Sequence, residues 1–213
     1  MYSLINSHID KILDAIDQAT DVEPYVWLVR HLNEVNVAVH TEFQRKYRRY
    51  WQLNAALLSN SFCTAYFALL ESAKTSQNAS VKMVAQELSE VPTHNDGRHS
   101  LQFSFASKLV HMIDRRLPIY DSMIESFYFL PAAPAKEHAD AKLVRLTASY
   151  DFLLAEYTRV LQQGLLAHSI EQFRQRFRLG QEYTDNKIID TLIWRFVSCM
   201  RDGAVRDRDV VYS

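Results

Sequence analysis

Apolar side chains return every three or four positions along most of this chain. Over residues 3–18, Leu4, Ile5, Ile9, Ile12, Leu13 and Ile16 fall on one stripe, the spacing of an amphipathic helix. Pro24 suits the first turn of a second helix, in which Val26, Trp27, Val29, Leu32, Val35 and Val39 would face inward. Residues 41–57 read as a further helical region with a basic front. A helix starting near Ser61 would bury Phe62, Ala65, Tyr66, Leu69 and Leu70. Residues 80–90 repeat the pattern with Val81, Val84, Ala85 and Leu88. Pro92 and the polar run from Thr93 to Arg98 then break it as a loop.

The second half continues in the same way. The pattern predicts a helix from about Ser100 to Asp114, a break at Pro118, and a short helix after Asp121 that stops before Pro131. Pro131-Ala132-Ala133-Pro134 reads as a linker. Residues 136–163 carry the longest helical pattern, which ends near Gly164, and two more helices are expected at about 168–178 and 185–201. From Asp202 the tail is charged, although Val210, Val211 and Tyr212 could dock. The reading is an all-α protein: one domain over residues 1–213, compact or in two lobes (about 25–130 and 136–201) around a cleft, with a charged tail over 202–213.

Composition supports this and narrows the partners. The chain is 48% hydrophobic, enough for a well-filled core. Four glycines and five prolines are few for a sheet-rich fold, which needs many turn residues. The formal net charge is -1, so any polyanion site must be a local patch. Cys63 and Cys199 sit among apolar residues, as buried small hydrophobes do, and no zinc-ligand spacing is present. No run approaches the ~20 apolar residues of a membrane helix. No glycine-rich phosphate loop or serine-hydrolase elbow occurs. The expectation is a cytoplasmic protein, a monomer, with no membrane partner, no metal and no small-molecule cofactor.

Two constellations could carry chemistry. The first is Lys108 in an apolar helix, thirteen positions before Asp121 at the mouth of the next. A carboxylate held by helix-terminal amides stays ionised and can stabilise an oxocarbenium-like centre. A desolvated lysine can be a nucleophile at neutral pH. Ser107 and His111 flank Lys108 at helical spacing. The plainer alternatives are that Asp121 is only an N-cap and that Lys108 only snorkels over the core. The second constellation runs from Phe43 to Asn54. Arg45, Lys46, Arg48 and Arg49 suit phosphate oxygens, while Tyr47, Tyr50 and Trp51 offer faces for an unstacked base and Asn54 an edge. An amphipathic helix with a solvated basic face would look the same.

The segment Ser104 to Ser122, with Phe105-Ala106-Ser107-Lys108 and Pro118-Ile119-Tyr120-Asp121-Ser122, resembles a group of bacterial proteins. So does the stretch from Phe43-Gln44-Arg45-Lys46-Tyr47 to Tyr66-Phe67-Ala68-Leu69-Leu70-Glu71, and the likeness spans about residues 25–200. That group is similar to the helix-hairpin-helix DNA glycosylases, including those that defend bacteria against phages with modified DNA. The resemblance implies a catalytic aspartate at Asp121 and a lysine nucleophile at Lys108. Two departures stand out: residues 98–117 contain no glycine where the family hairpin carries Gly-x-Gly, and the lysine-to-aspartate spacing is shorter than usual.

The function expected from residues and resemblance together is cleavage of the N-glycosidic bond of a damaged or hypermodified base in double-stranded DNA. Glucosylated hydroxymethylcytosine is one candidate. Asp121 would stabilise the charge developing on the sugar or activate water, and Lys108 would attack the sugar or neutralise a phosphate or the departing base; Arg45, Lys46, Arg48 and Arg49 would hold the backbone, Tyr47, Tyr50 or Trp51 would stack on the base, and Asn54 would bond its edge. The alternative is a non-catalytic helical module that binds nucleic acid or protein.

Overall fold

The computed structural model describes residues 1–76, 79–131, 134 and 136–206. Among these the chain is all-helical, with eleven α-helices, one short π-helical turn and no β-strand. The first apolar stripe forms two helices, not one: α1 (Tyr2–Ser7) and α2 (Ile9–Asp14) meet at His8, whose φ of -112° and ψ of 17° leave the helical region. Asn6 fixes the bend. Its amide donates to the Leu165 carbonyl at 2.9 Å, and its carbonyl accepts from Ser169 Oγ at 2.6 Å.

The π-helical turn Gln18–Val22 leads into α3 (Glu23–His31), with Pro24 in its first turn. The inward face differs from the expected one. Tyr25, Leu28 and Leu32 are buried, Val26, Trp27, Val29 and Val35 are half-buried, and Val39 is 73% exposed. The helix stops at His31, so Val35 and Val39 lie beyond its period.

Helix α4 (Thr41–Tyr50) also ends earlier than the apolar pattern suggests. Gln52 adopts a left-handed conformation (φ 59°), the Leu53 amide donates to the Arg48 carbonyl at 2.9 Å, and the Gln52 amide to Arg49 at 3.3 Å. This is a Schellman end, which usually has glycine at the left-handed position. The turn it makes places Trp51 and Gln52 side by side under the end of the helix.

Helices α5 (Asn60–Ser76) and α6 (Val81–Ser89) follow. In α5 the buried side chains are Phe62, Cys63, Tyr66, Phe67, Leu70 and Ala73, while Ala65 and Leu69 sit at the edge. In α6 they are Val81, Val84, Ala85 and Leu88, the set its spacing predicts. Helix α6 packs along α7 (Phe103–Ile113), which starts three residues later than Ser100. The loop between them turns at Gly97 (φ 83°) and is tied to the start of α5 by Ser59 N–H donating to the Thr93 carbonyl at 2.8 Å.

The remaining helices are α8 (Ser122–Tyr128), α9 (Ala139–Gln162), α10 (Ala167–Phe177) and α11 (Asp185–Arg201). Gly164 (φ 62°) ends α9 as expected. Ala132 and Ala133 of the expected linker lie outside the described residues, as do Val210, Val211 and Tyr212 of the tail. One buried apolar cluster draws side chains from all eleven helices and includes both cysteines, which are free. Among the described residues, no helix is long and apolar enough to cross a membrane, and no group of three or more histidine, cysteine or carboxylate side chains could hold a metal ion.

Candidate active site

A cavity of about 1160 Å³ opens where α3, α4, α7, α8 and α11 converge, and both Lys108 and Asp121 line it. Their meeting follows from how the segment after α7 is fastened back onto that helix. Ser107 and His111, the neighbours of Lys108 noted above, do the fastening. Ser107 Oγ accepts from the Tyr120 amide at 3.0 Å and donates to the Ser104 carbonyl at 2.9 Å. His111 Nδ1 lies 2.7 Å from the Leu117 carbonyl, to which it donates. Tyr150 from α9 donates to the Pro118 carbonyl at 3.0 Å. The chain therefore doubles back onto α7, which brings Asp121 to the cavity that Lys108 also lines.

Asp121 caps α8. One carboxylate oxygen accepts from the amides of Met123 at 2.9 Å and Ile124 at 3.0 Å. The expected N-cap role and the position at the cavity wall thus belong to the same side chain. Lys108 Nζ lies 5.0 Å from the Phe105 ring centre and 5.9 Å from that of Trp51. Burial holds the Lys108 amine below the ordinary lysine range; the Asp121 and Asp190 carboxylates pull it back up and Lys187 pushes it further down.

Helix α11 supplies the deepest charges. Lys187 and Asp190 are 4% and 5% exposed, and Lys187 Nζ contacts Asp190 Oδ2 at 2.7 Å. Burial alone would lower the Lys187 pKa, but Asp190, Tyr50 and Tyr183 outweigh it, so the ammonium is held charged. Burial pushes the Asp190 carboxyl up, against the opposing pull of Lys187. Asp190 Oδ1 and Trp51 Nε1 are buried and without a hydrogen-bond partner. Both residues line the cavity, but these two atoms lie beneath its surface.

The sequence-derived residues divide. Lys46, Arg49, Tyr50 and Trp51 line the cavity with Lys108 and Asp121. Lys46 is paired with Glu42 at 3.1 Å and stands 3.7 Å over the Trp27 ring. Tyr47 does not reach the cavity: it is fully buried, its hydroxyl 2.8 Å from that of Tyr66, so it is a core side chain and not a base platform. Asn54 is exposed on the turn after α4 and is not in the cavity wall. Arg45 and Arg48 are also outside the wall: Arg45 lies one turn before Arg49 and is exposed, and Arg48 Nε is buried without a partner.

Residues the spacing argument passed over complete the wall. Trp27, Gln52, Lys187, Asp190, Trp194 and Arg195 are among them. A signal for part of this set was present. Lys187, Asp190, Thr191 and Trp194 recur at helical spacing, so polar side chains lie along one face of an otherwise apolar helix. Seven cationic side chains face five acidic ones around the cavity, although the chain as a whole is slightly acidic. Compared with models of protein families, with curated proteins and with solved structures, the chain matches none.

Proposed function

We propose that the cavity takes up a base extruded from double-stranded DNA and cleaves its N-glycosidic bond. The observation that carries this reading is that a desolvated amine, Lys108, and an amide-anchored carboxylate, Asp121, line one cavity with aromatic faces. Lys108 Nζ, as the free amine, attacks C1′ of the sugar. The C1′–N bond breaks and its electron pair leaves with the base, which takes up the proton released by the amine. Asp121 stabilises the positive charge that develops on the sugar ring. Ring opening gives an imine on Lys108, and water hydrolyses it to an abasic site and the free lysine.

Tyr50 and Trp51 line the cavity and offer aromatic surface for the extruded base. Lys46 and Arg49 at the rim suit the phosphates. Ordinary small-molecule pockets span about 300–1,000 Å³. A volume of about 1160 Å³ leaves room for a bulky substituent, which favours a hypermodified base over a small lesion.

The test is base release from a panel of DNAs carrying oxidised, alkylated, deaminated or glucosylated-hydroxymethylcytosine residues. Abasic sites are read by alkaline cleavage and free bases by mass. Release by the wild type and not by a folded Asp121→Asn variant is expected. Full activity in that variant would overturn the assigned role.

A further inference from the structure

Of the five acidic side chains around the cavity, three are already engaged. Asp21 is paired with Arg195. Asp190 is paired with Lys187, and its other oxygen is buried. Glu23 is exposed at the start of α3, where it accepts from the Gln18 side chain at 3.1 Å. The remaining two, Asp121 and Glu125, belong together. The Glu125 amide donates to the Asp121 carbonyl at 2.9 Å, so the two residues stand one turn apart at the start of α8, the spacing of neighbouring side chains. Each has one oxygen fixed by the protein. Asp121 Oδ1 takes the amides of Met123 and Ile124, and Glu125 Oε1 accepts from the Tyr120 hydroxyl. Tyr120 is itself held: it is buried, its ring meets that of Phe103 edge-on at 5.4 Å, and its amide donates to Ser107 Oγ. No donor among the described residues reaches Asp121 Oδ2 or Glu125 Oε2. Neither belongs with the buried unpartnered atoms such as Asp190 Oδ1, so both are left to solvent. A carboxylate in the first turn of a helix is commonly there for the helix dipole. That role does not call for a buried tyrosine on one oxygen and a bare second oxygen on a residue of the cavity wall.

We propose that Glu125 is a catalytic residue, the general base that brings water to the imine on Lys108, and that Tyr120 positions it. The step rests on the glycosylase reading and supplies what that reading lacks. Asp121 must stay an anion to stabilise the sugar, and the Lys108 nitrogen is engaged in the imine, so the proton that water gives up needs another acceptor. Glu125 stands one turn from the group that addresses the sugar. The water oxygen bonds to C1′ of the protonated imine as its proton passes to Glu125 Oε2, and the C=N electron pair returns to nitrogen. Glu125 then gives that proton to the nitrogen. The C1′–N bond breaks with its pair on Lys108, and the hydroxyl proton goes to the carboxylate, and from there to solvent, as the aldehyde forms.

The probe is DNA with a preformed abasic site, whose aldehyde forms the imine with no base to remove. Formation from that aldehyde runs through the hydrolysis steps in reverse, so a base that speeds one speeds the other equally. Borohydride traps the imine in samples taken while it builds up on labelled DNA, and again after a chase with excess unlabelled DNA of the same kind. Glu125→Gln keeps an oxygen for the Tyr120 hydroxyl. It is expected to slow both build-up and decay by at least about tenfold, the low side of what a positioned acid–base group contributes, and to leave the plateau of trapped adduct unchanged. A merely structural role, or one in DNA affinity, would lower the plateau instead. Wild-type rates in Glu125→Gln, or a lowered plateau reached at wild-type rate, overturn the proposal and leave the glycosylase reading standing. If Glu125→Gln fails to fold, Tyr120→Phe carries the test, since it frees the carboxylate without removing it: both rates must fall, by a smaller factor, at an unchanged plateau, and unchanged rates there are equally fatal. Wild-type protein that gives no adduct at Lys108 would sink the glycosylase reading itself and this step with it.

Discussion

Tyr25 and His111 meet at 2.8 Å, the phenol donating to imidazole Nε2 under the floor of the cavity. The donor is fixed by the other end of the ring, because His111 Nδ1 must carry the proton it gives to the Leu117 carbonyl. A charged imidazole would lose the acceptor Tyr25 needs. Burial, with help from Lys187, lowers the His111 pKa from 6.5 to about 3. Between these values the unfolded chain binds a proton that the folded chain refuses. The contribution is therefore whole above pH 6.5 and is lost as pH falls toward 3. A loss of up to about 1.4 kcal/mol per pH unit in that window is expected in urea unfolding, and His111→Gln should flatten it.

Asp121 serves two purposes that substitution separates. Asp121→Asn keeps an oxygen for the amides of Met123 and Ile124, so it should melt close to wild type. Asp121→Ala removes the cap of α8 and should cost about 1 kcal/mol. Both should lose base release. A stable Asp121→Ala protein with intact base release would mean that the carboxylate is only a cap, or not even that.

The phosphate contacts are assigned to the cavity rim and not to the whole basic run. Arg49→Ala should therefore weaken DNA binding at low salt and reduce the slope of log K against log salt by about one. Arg45→Ala should change both less, because Arg45 lies outside the cavity wall. Titrations at three or more salt concentrations decide the point, and equal losses from the two variants would return the whole helix face to the interface.

Much of this structure was legible from spacing. Val81, Val84, Ala85 and Leu88 of α6 are the buried set in both readings, and Asp121 caps the helix its position suggests. The end of α4 was not legible, because the left-handed residue that stops it is Gln52 and not a glycine. Phe129 and Arg178 (φ 51° and 52°) are left-handed at other helix ends in the same way. Tyr47 was misplaced for a related reason: an aromatic between basic residues looks amphipathic, and only the partner helix, through Tyr66, shows which way it turns. The Lys187–Asp190 pair was hidden by distance along the chain. Its neighbours Tyr25, Tyr50 and Trp51 are more than a hundred residues away, and spacing within α11 carries no trace of them.

The most direct test of the central claim needs no knowledge of the excised base. An imine on the nucleophilic lysine can also form from the aldehyde of a preformed abasic site, so DNA carrying such a site is incubated with the protein and reduced with borohydride. The adduct is then digested and mapped by mass spectrometry. The account predicts a covalent protein–DNA adduct at Lys108, lost in Lys108→Gln and formed faster as pH rises through the amine's lowered titration. An adduct spread over surface lysines, or one that survives Lys108→Gln undiminished, would contradict it.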